Sequence, residues 1–145
     1  IEPIKDHMRS INMDFNKVEN ITARYFKDVH RLQEVKIQFN NLKSIHPTAF
    51  SGYREPGIDL TLYFEGNSLT TLPQLPDFPE ALTLLNIANN KITYLAEEEL
   101  ELFVNLNELT ISHNPILLLP DLLSLLPSLA ILNIDGLNFS CCDVQ

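Results

Sequence analysis

The sequence is poor in the residues that many catalytic and binding motifs require. Its 145 residues include four glycines, two cysteines and no tryptophan. It contains no Gly-rich phosphate loop and no Gly-x-Ser-x-Gly nucleophile motif. A zinc site is not expected either, because there is no His-Glu-x-x-His or Cys-x-x-Cys pair. The sequence therefore predicts no enzyme, no cofactor and no metal centre.

Positive charge is also scarce. Ten Lys and Arg residues are scattered among 19 Asp and Glu residues, which gives a net charge of -9 and a pI near 4.7. Nucleic acids and anionic membrane surfaces both require clustered basic side chains. We therefore expect a partner that is neither nucleic acid nor an anionic lipid surface.

Long apolar runs are missing as well. The Leu-rich segment 116–134 is interrupted by Pro120, Asp121 and Pro127, whereas a membrane span needs about 20 apolar residues. No membrane span is predicted. Charged residues near the start fit no signal peptide, and the first residue is not Met, so we expect a mature, processed or partial chain.

What the sequence does contain is an internal repeat that covers almost its whole length. The second copy places Leu32, Val35 and Ile37 before Asn40, and Leu42 and Ile45 after it. The same pattern begins at Met8, Leu62, Leu82, Leu106 and Leu129. Its recurring asparagines are Asn16, Asn40, Asn67, Asn90 and Asn114, spaced 24, 27, 23 and 24 residues apart. Five matches in register predict a single domain, residues 1–145, of about six stacked repeats.

This pattern, LxxLxLxxNxLxxL with a longer variable half, resembles the leucine-rich repeat family. The period near 24 and the residues Phe26 and Phe50 are similar to its extracellular class. The resemblance implies an α/β-type solenoid: a right-handed coil with short parallel strands on its concave face. Around the insertion 51–57, the chain also resembles secreted arthropod members of the family, a group that includes the non-catalytic subunit of a shrimp luciferase.

The asparagines are explained by the turn that must follow each strand. Such a turn leaves backbone N–H and C=O groups inside the coil, where they require partners. An asparagine side chain offers both a donor and an acceptor. We therefore predict a structural asparagine ladder, formed by Asn16, Asn40, Asn67, Asn90 and Asn114, rather than a set of ligand contacts.

Two glycosylation sequons, at Asn20 and Asn138, favour a secreted or extracellular protein, with a cytoplasmic location as the alternative. We expect Asn20 on an exposed turn after its strand. Residues 138–145, with Cys141 and Cys142, are similar to the start of a C-terminal cysteine cap. Adjacent cysteines pair with each other only under strain, so we expect no bond between these two.

The strand face is the candidate binding surface. If outward side chains alternate with the inward leucines, this face carries aromatic residues in its N-terminal half and more acids than bases. We predict a protein-binding site there, for a partner with a basic or apolar contact surface. The predicted contact residues are Phe15, Lys36, Phe39, Tyr63, Glu65, Asn86 and His113. The alternative is that the two Phe side chains pack against the strand edges and that this face is solvated and binds no partner.

A second hypothesis assigns the chain a structural role. It would be an accessory subunit of a larger hetero-complex, held through the ends of the solenoid or through the Leu-rich flank from Leu117 to Leu126. The acidic run at 97–101 is interpreted as a solvated face in either case. An uncovered core at one end would favour the structural role, whereas exposed aromatic residues on the strand face would favour partner recognition.

Overall fold

The computed structural model describes residues 7–138 and contains eight short strands and two helices of one turn each. Six strands form one parallel sheet in the order β1-β3-β5-β6-β7-β8. These are β1 (Ser10–Asn12), β3 (Glu34–Lys36), β5 (Leu60–Tyr63), β6 (Leu82–Asn86), β7 (Glu108–Thr110) and β8 (Ile131–Asn133). The remaining strands, β2 (Asn20–Ile21) and β4 (Ser44–Ile45), pair in parallel as a separate small sheet.

The register of the large sheet follows directly from the repeat. Each strand is centred on an apolar residue that faces the interior, and these residues pair across the sheet. The row consists of Ile11, Val35, Leu62, Leu85, Leu109 and Leu132. Since successive side chains of a strand point to opposite faces, the flanking residues form rows on the solvent side. We call that solvent side the strand face.

The variable halves of the copies return the chain to the next strand. They are irregular in most copies, with α1 (Glu97–Leu100) in the fourth and α2 (Leu122–Leu125) in the fifth. Asp121 caps α2 by accepting a hydrogen bond from the backbone N–H of Ser124. The third copy has only a 3-10 turn, Pro79–Ala81, after its proline-rich segment.

One apolar core runs along the coil from copy to copy. Val35, Ile37 and Leu42 of the second copy are fully buried, whereas their counterparts Ile11 and Met13 in the first copy are only partly buried. Leu132 and Ile134 in the sixth copy are also partly buried. The predicted leucine-rich repeat solenoid with parallel strands is confirmed. The sequence predicts that the apolar residues Ile1, Ile4 and Met8 cover the first strand. Met8 is half-buried, and Ile1 and Ile4 lie outside the described residues.

Candidate functional site

The asparagines of the repeat join each copy to the one before it. The amide Nδ2 of Asn67 donates to the carbonyls of Phe64 in its own copy and Ile37 in the preceding copy. Its Oδ1 accepts from the N–H groups of Asn40 and Leu42. Asn40, Asn90 and Asn114 make equivalent bonds to the copies that precede them. These contacts are internal, so the asparagines hold the turns in place rather than meet a ligand.

Asn16 differs from the other asparagines because it stands in the first copy. It is exposed, and its Nδ2 donates to the carbonyls of Met13 and Asp14 in its own copy. At the other end, Leu137 carries no amide and cannot extend the pattern. The hydrogen-bonded series therefore links copies one to five.

The position before each of the five asparagines, together with the position before Leu137 in the sixth copy, forms a row of its own, which we call the turn row. All six of its residues have a positive φ, between 52° and 72°. They are Phe15, Phe39, Gly66, Asn89, His113 and Gly136. This backbone conformation lets the N–H groups continue the ladder between copies, as in the bonds from Phe15 to the Gln38 carbonyl and from Phe39 to the Glu65 carbonyl. The side chains consequently leave the sheet at the turn.

Phenylalanine is an unusual occupant of this row. The left-handed region is open to glycine and visited by asparagine and histidine, but it is strained for bulky residues. Phe15 and Phe39 nevertheless adopt φ values of 58° and 52°. Their rings stack with centroids 5.1 Å apart and an interplanar angle of 12°. The side chains remain 77% and 45% exposed, so the structure holds an aromatic pair in solvent at a conformational cost.

Glycine at the next position of the row supports the pair. A Cβ atom at Gly66 would lie 2.5 Å from the Phe39 ring, so that ring lies directly against the Gly66 backbone. His113 repeats this arrangement in the fifth copy, where a Cβ atom at Gly136 would lie 2.1 Å from its ring. Asn89 separates the two groups along the row. His113 is thus placed apart from the aromatic pair.

These positions correct one expectation from the sequence. Phe15, Phe39 and His113 were expected on the strands, but they lie on the turns that follow β1, β3 and β7. Strict alternation would turn these three side chains toward the core, but their left-handed backbone leaves them exposed to solvent. Tyr63, by contrast, lies within β5 as expected.

The strand face itself carries a polar row that includes Tyr63. Register places Lys36, Tyr63 and Asn86 side by side, with Asn12 beyond Lys36. The Lys36 ammonium lies 5.3 Å from the centre of the Tyr63 ring and 4.0 Å from a Glu34 carboxylate oxygen. The Asn86 Oδ1 accepts a bond from the Ala88 N–H in its own turn.

The next row lies between the strand row and the turn row. Glu65 occupies it, and its carboxylate is 3.5 Å from the Asn89 amide. Asp14 accepts hydrogen bonds from both the backbone N–H and the side chain of Gln38. Thus Lys36, Tyr63 and Asn86 form one group in the strand row, while Phe15 and Phe39 form another on the turns.

The insertion between the second and third copies borders an open cleft of about 390 Å³ beside Tyr53, Arg54 and Asp59. The Arg54 guanidinium lies over the Phe78 ring at 5.3 Å and donates to the Ile58 carbonyl. Burial lowers the pKa of Arg54, and the Asp59 carboxylate partly offsets that shift. An ion pair between Arg31 and Glu55 fastens the loop to the second copy.

The two sequons fall on exposed side chains. Asn20 lies in strand β2 rather than on a turn, which corrects the expectation from the sequence, and its Oδ1 accepts a bond from the Ser44 hydroxyl. Asn138 is the last residue described. Cys141 and Cys142 lie outside the described residues, as does most of the segment 138–145 that was predicted to begin a cap.

Within residues 7–138, no group of three His, Cys, Asp or Glu side chains is arranged to hold a metal ion. No helix in this part of the chain has the length and apolarity that crossing a membrane requires.

Sequence reasoning missed the left-handed turn row, although its signal was present. The residue before the repeated position is Gly twice, Asn once and His once, and these types tolerate a positive φ. It also missed a groove beside Tyr94, Glu99 and Leu102, which forms only where a helical copy follows a proline-rich one.

Comparison with known proteins identifies the repeat independently. The family model described as leucine rich repeat matches residues 6–55. Toll-like receptor 7 of Mus musculus is 26% identical over 127 residues, which is 78% of this chain and 12% of that protein. Osteomodulin of Mus musculus is 27% identical over 108 residues, covering 74% of this chain and 25% of that protein. Epiphycan of Gallus gallus is 27% identical over 92 residues, or 63% of this chain and 27% of that protein.

Solved structures show the same fold. A leucine-rich repeat protein of Leptospira interrogans superposes with a TM-score of 0.65 and 21% identity, over 98% of this chain and 41% of that one. The functional domain of InlJ from Listeria monocytogenes has the same TM-score at 17% identity, over 94% of this chain and 26% of that one. The chain spans about an eighth of the length of Toll-like receptor 7 and about a quarter of the lengths of osteomodulin and epiphycan. The narrower resemblance to secreted arthropod proteins stays a prediction.

Proposed function

Because this chain folds as a leucine-rich repeat solenoid and its residues 6–55 match the family model, we propose that it is a non-enzymatic module that binds a protein partner through its concave face. Domains of this family commonly mediate contacts between proteins, and no catalytic family is indicated by the comparisons. The strand face and the turn row beside it would form the contact surface. The partner would be a protein rather than a nucleic acid.

The observation that carries this proposal is the Phe15–Phe39 pair. A non-glycine residue in the left-handed region costs about 1–2 kcal/mol, and Gly, Asn and His occupy other positions in the same row. The pair is also too exposed to contribute much to the core. Strain retained at an exposed aromatic group is better explained by recognition than by folding.

Tyr63, Lys36 and Asn86 extend this surface across the strands, with Glu65 between the two rows. Neighbouring strands are about 4.8 Å apart, so three copies place the aromatic residues within a patch about 10 Å wide. Stacked rings and a tyrosine suit an apolar anchor from the partner. Asp14, Glu34 and Glu65 would favour a partner that also presents Lys or Arg.

Site-specific photo-crosslinking tests the proposal. A photoreactive phenylalanine analogue at Phe15 or Tyr63 should crosslink a partner in native extract, and excess unlabelled protein should compete. The matched control is the same analogue at Tyr25, which is exposed but lies in a loop of the first copy outside this surface. The same analogue at Leu117 and Leu118, which are also exposed, tests the accessory-subunit hypothesis. Crosslinks confined to those two positions would favour that hypothesis, and crosslinks from position 25 alone would contradict binding through the strand face.

We further propose that the protein is secreted and carries a glycan on Asn20. The Asn20 side chain is exposed, and a glycan there would project away from the strand face. Peptide mapping of the native protein should find Asn20 modified. Native protein that is wholly unmodified at Asn20 would remove the main support for secretion and favour the cytoplasmic alternative.

A further inference from the structure

Charge is distributed very unevenly along the chain. Through residue 91 there are 10 basic and 11 acidic residues, a net charge of -1. From residue 92 onward there are eight acidic residues and no Lys or Arg, a net charge of -8. Nearly all of the net negative charge thus belongs to the fourth, fifth and sixth copies and the residues after them.

Exposed apolar side chains concentrate in the same section. Seven of the 11 large hydrophobic residues that the structure exposes lie beyond residue 92. They are Tyr94, Leu102, Val104, Leu117, Leu118, Leu123 and Ile131. Apolar surface combined with charge of a single sign suits a partner that is both apolar and positively charged.

A groove between the variable halves of the third and fourth copies gives this surface a shape. It exists because the third copy has prolines where the fourth has α1. Its main hollow, about 130 Å³, is close to the ~150 Å³ of a cavity that admits benzene, so one apolar side chain would fill it. Its walls include Leu75, Pro76, Pro79, Leu102, Phe103 and Glu99. We call this feature the proline groove.

Glu99 connects the proline groove to a smaller hollow beside Thr71 and Tyr94. Its carboxylate is the charged group of a mainly apolar wall. Burial, and secondarily the charge of Glu98, raise the pKa of Glu99, which shows that the site disfavours an unpaired anion. A cation placed against Glu99 would relieve that penalty.

We propose that the proline groove docks a basic, amphipathic polypeptide segment of a partner, which inserts one apolar side chain beside Leu102 and places a Lys or Arg against Glu99. Charge complementarity selects this occupant. A second copy of this chain would bring together two sections of net charge -8, and an anionic membrane would be repelled in the same way. This surface is separate from the strand face, so the partner could engage either one alone.

Peptide binding to the intact protein tests this docking site. The probe is a fluorescein-labelled synthetic peptide of leucine and lysine, and its comparators are a leucine–glutamate peptide of the same pattern and oligolysine without leucine. Only the leucine–lysine peptide should bind well, and binding should shift the backbone amide NMR signals of Leu102 and Phe103. Leu102→Ser and Glu99→Gln should each weaken binding by about fivefold or more.

Each variant has a matched control. Leu123→Ser removes a leucine that is 76% exposed, against 52% for Leu102, but it does not line the groove. Glu108→Gln makes the same charge change as Glu99→Gln, but on strand β7. Both controls should keep binding within about twofold of the parent.

Three outcomes would overturn the proposal. The first is binding of a comparator peptide as strong as that of the leucine–lysine peptide. Equal binding of oligolysine would mean that the apolar side chain contributes nothing, and equal binding of the acidic peptide would mean that charge contributes nothing. The second is equal loss in Glu99→Gln and Glu108→Gln, which would remove the role of the groove. The third is reversible self-association in sedimentation that Leu102→Ser abolishes, which would make a second copy the occupant.

Discussion

Single residues decide which side chains this protein presents to solvent. The turn row places the same left-handed backbone in six copies, yet its side chains range from none at Gly66 to a phenyl ring at Phe39. Gly66 matters because its lack of a side chain makes room for the Phe39 ring. The orientation of the aromatic pair therefore depends on a neighbouring residue that has no side chain of its own.

Substitution of Gly66 tests this dependence. Gly66→Ala should lower the free energy of unfolding by about 1 kcal/mol or more and displace the Phe39 ring, because Ala is strained at a positive φ and its Cβ meets the ring. Gly57→Ala is the matched control: its φ is +80°, but nothing lies within 4 Å of the added Cβ. Unfolding and the ring-current shifts of the phenylalanine signals measure the two effects. Identical shifts in both variants would show that Gly66 does not position the pair.

Glu99 gives a second prediction for a single residue, through pH. A carboxyl group whose pKa is raised in the folded state favours folding in its protonated form. Its effect on stability is therefore neutral below the ordinary pKa of glutamate, about 4.3, and becomes unfavourable as pH rises through the folded-state pKa.

Glu99→Gln should consequently be more stable than the parent at pH 7, and the difference should shrink toward pH 4. Thermal unfolding across that range measures it, with Glu101→Gln as the charge-matched control in the same copy. A Glu99→Gln variant that is less stable than the parent at pH 7 would show that the carboxylate has a partner that stabilises it.

At the scale of the element, each strand and its turn depend on the copy that precedes them. Asn67 illustrates this, because its amide serves carbonyls and N–H groups of two copies at once. The sequence predicted this element well, since the spacing of apolar residues around an asparagine defines both register and turn. It did not predict the conformation of the residue before the asparagine, since that conformation depends on where the N–H must point to reach the next copy.

The loss of stability on replacing a ladder asparagine should therefore depend on its position in the series. Asn67→Leu should lower the free energy of unfolding by about 1–3 kcal/mol, because it leaves buried backbone groups unpaired. Asn16→Leu is the control, because Asn16 is exposed and bonds only within its own copy. Chemical denaturation of both variants gives the comparison, and equal losses would contradict a role in joining copies.

At the scale of the whole molecule, two surfaces with different character emerge from one solenoid. The strand face and turn row carry the strained aromatic pair in the first two copies, where the charges of the chain nearly balance. The proline groove lies beside the section from residue 92 onward, which has acidic residues and exposed leucines but no Lys or Arg. The repeat pattern predicted the coil that separates them.

The proline groove itself could not be predicted from the repeat pattern. The segment 73–79 and the helix α1 belong to different copies of the repeat. Neither segment taken alone predicts a groove. Only the stacking of an irregular copy on a helical one places Pro76 beside Leu102 and Phe103. The sequence predicts a solvated face for the acidic run at 97–101. Glu97, Glu98 and Glu101 are exposed, whereas Glu99 lines the groove.

The central claim, that Phe15 and Phe39 serve recognition rather than folding, is tested most directly by the double variant Phe15→Asn and Phe39→Asn. Asparagine tolerates the left-handed region, so relief of about 1–2 kcal/mol at each position offsets the lost stacking of about 0.5–1.5 kcal/mol and the lost burial of Phe39. Unfolding and affinity for the crosslinked partner are measured on the same sample. We expect stability within about 1 kcal/mol of the parent and an affinity at least about tenfold weaker. A stability loss above about 2 kcal/mol with unchanged affinity would contradict the account, because it would make the pair a structural element.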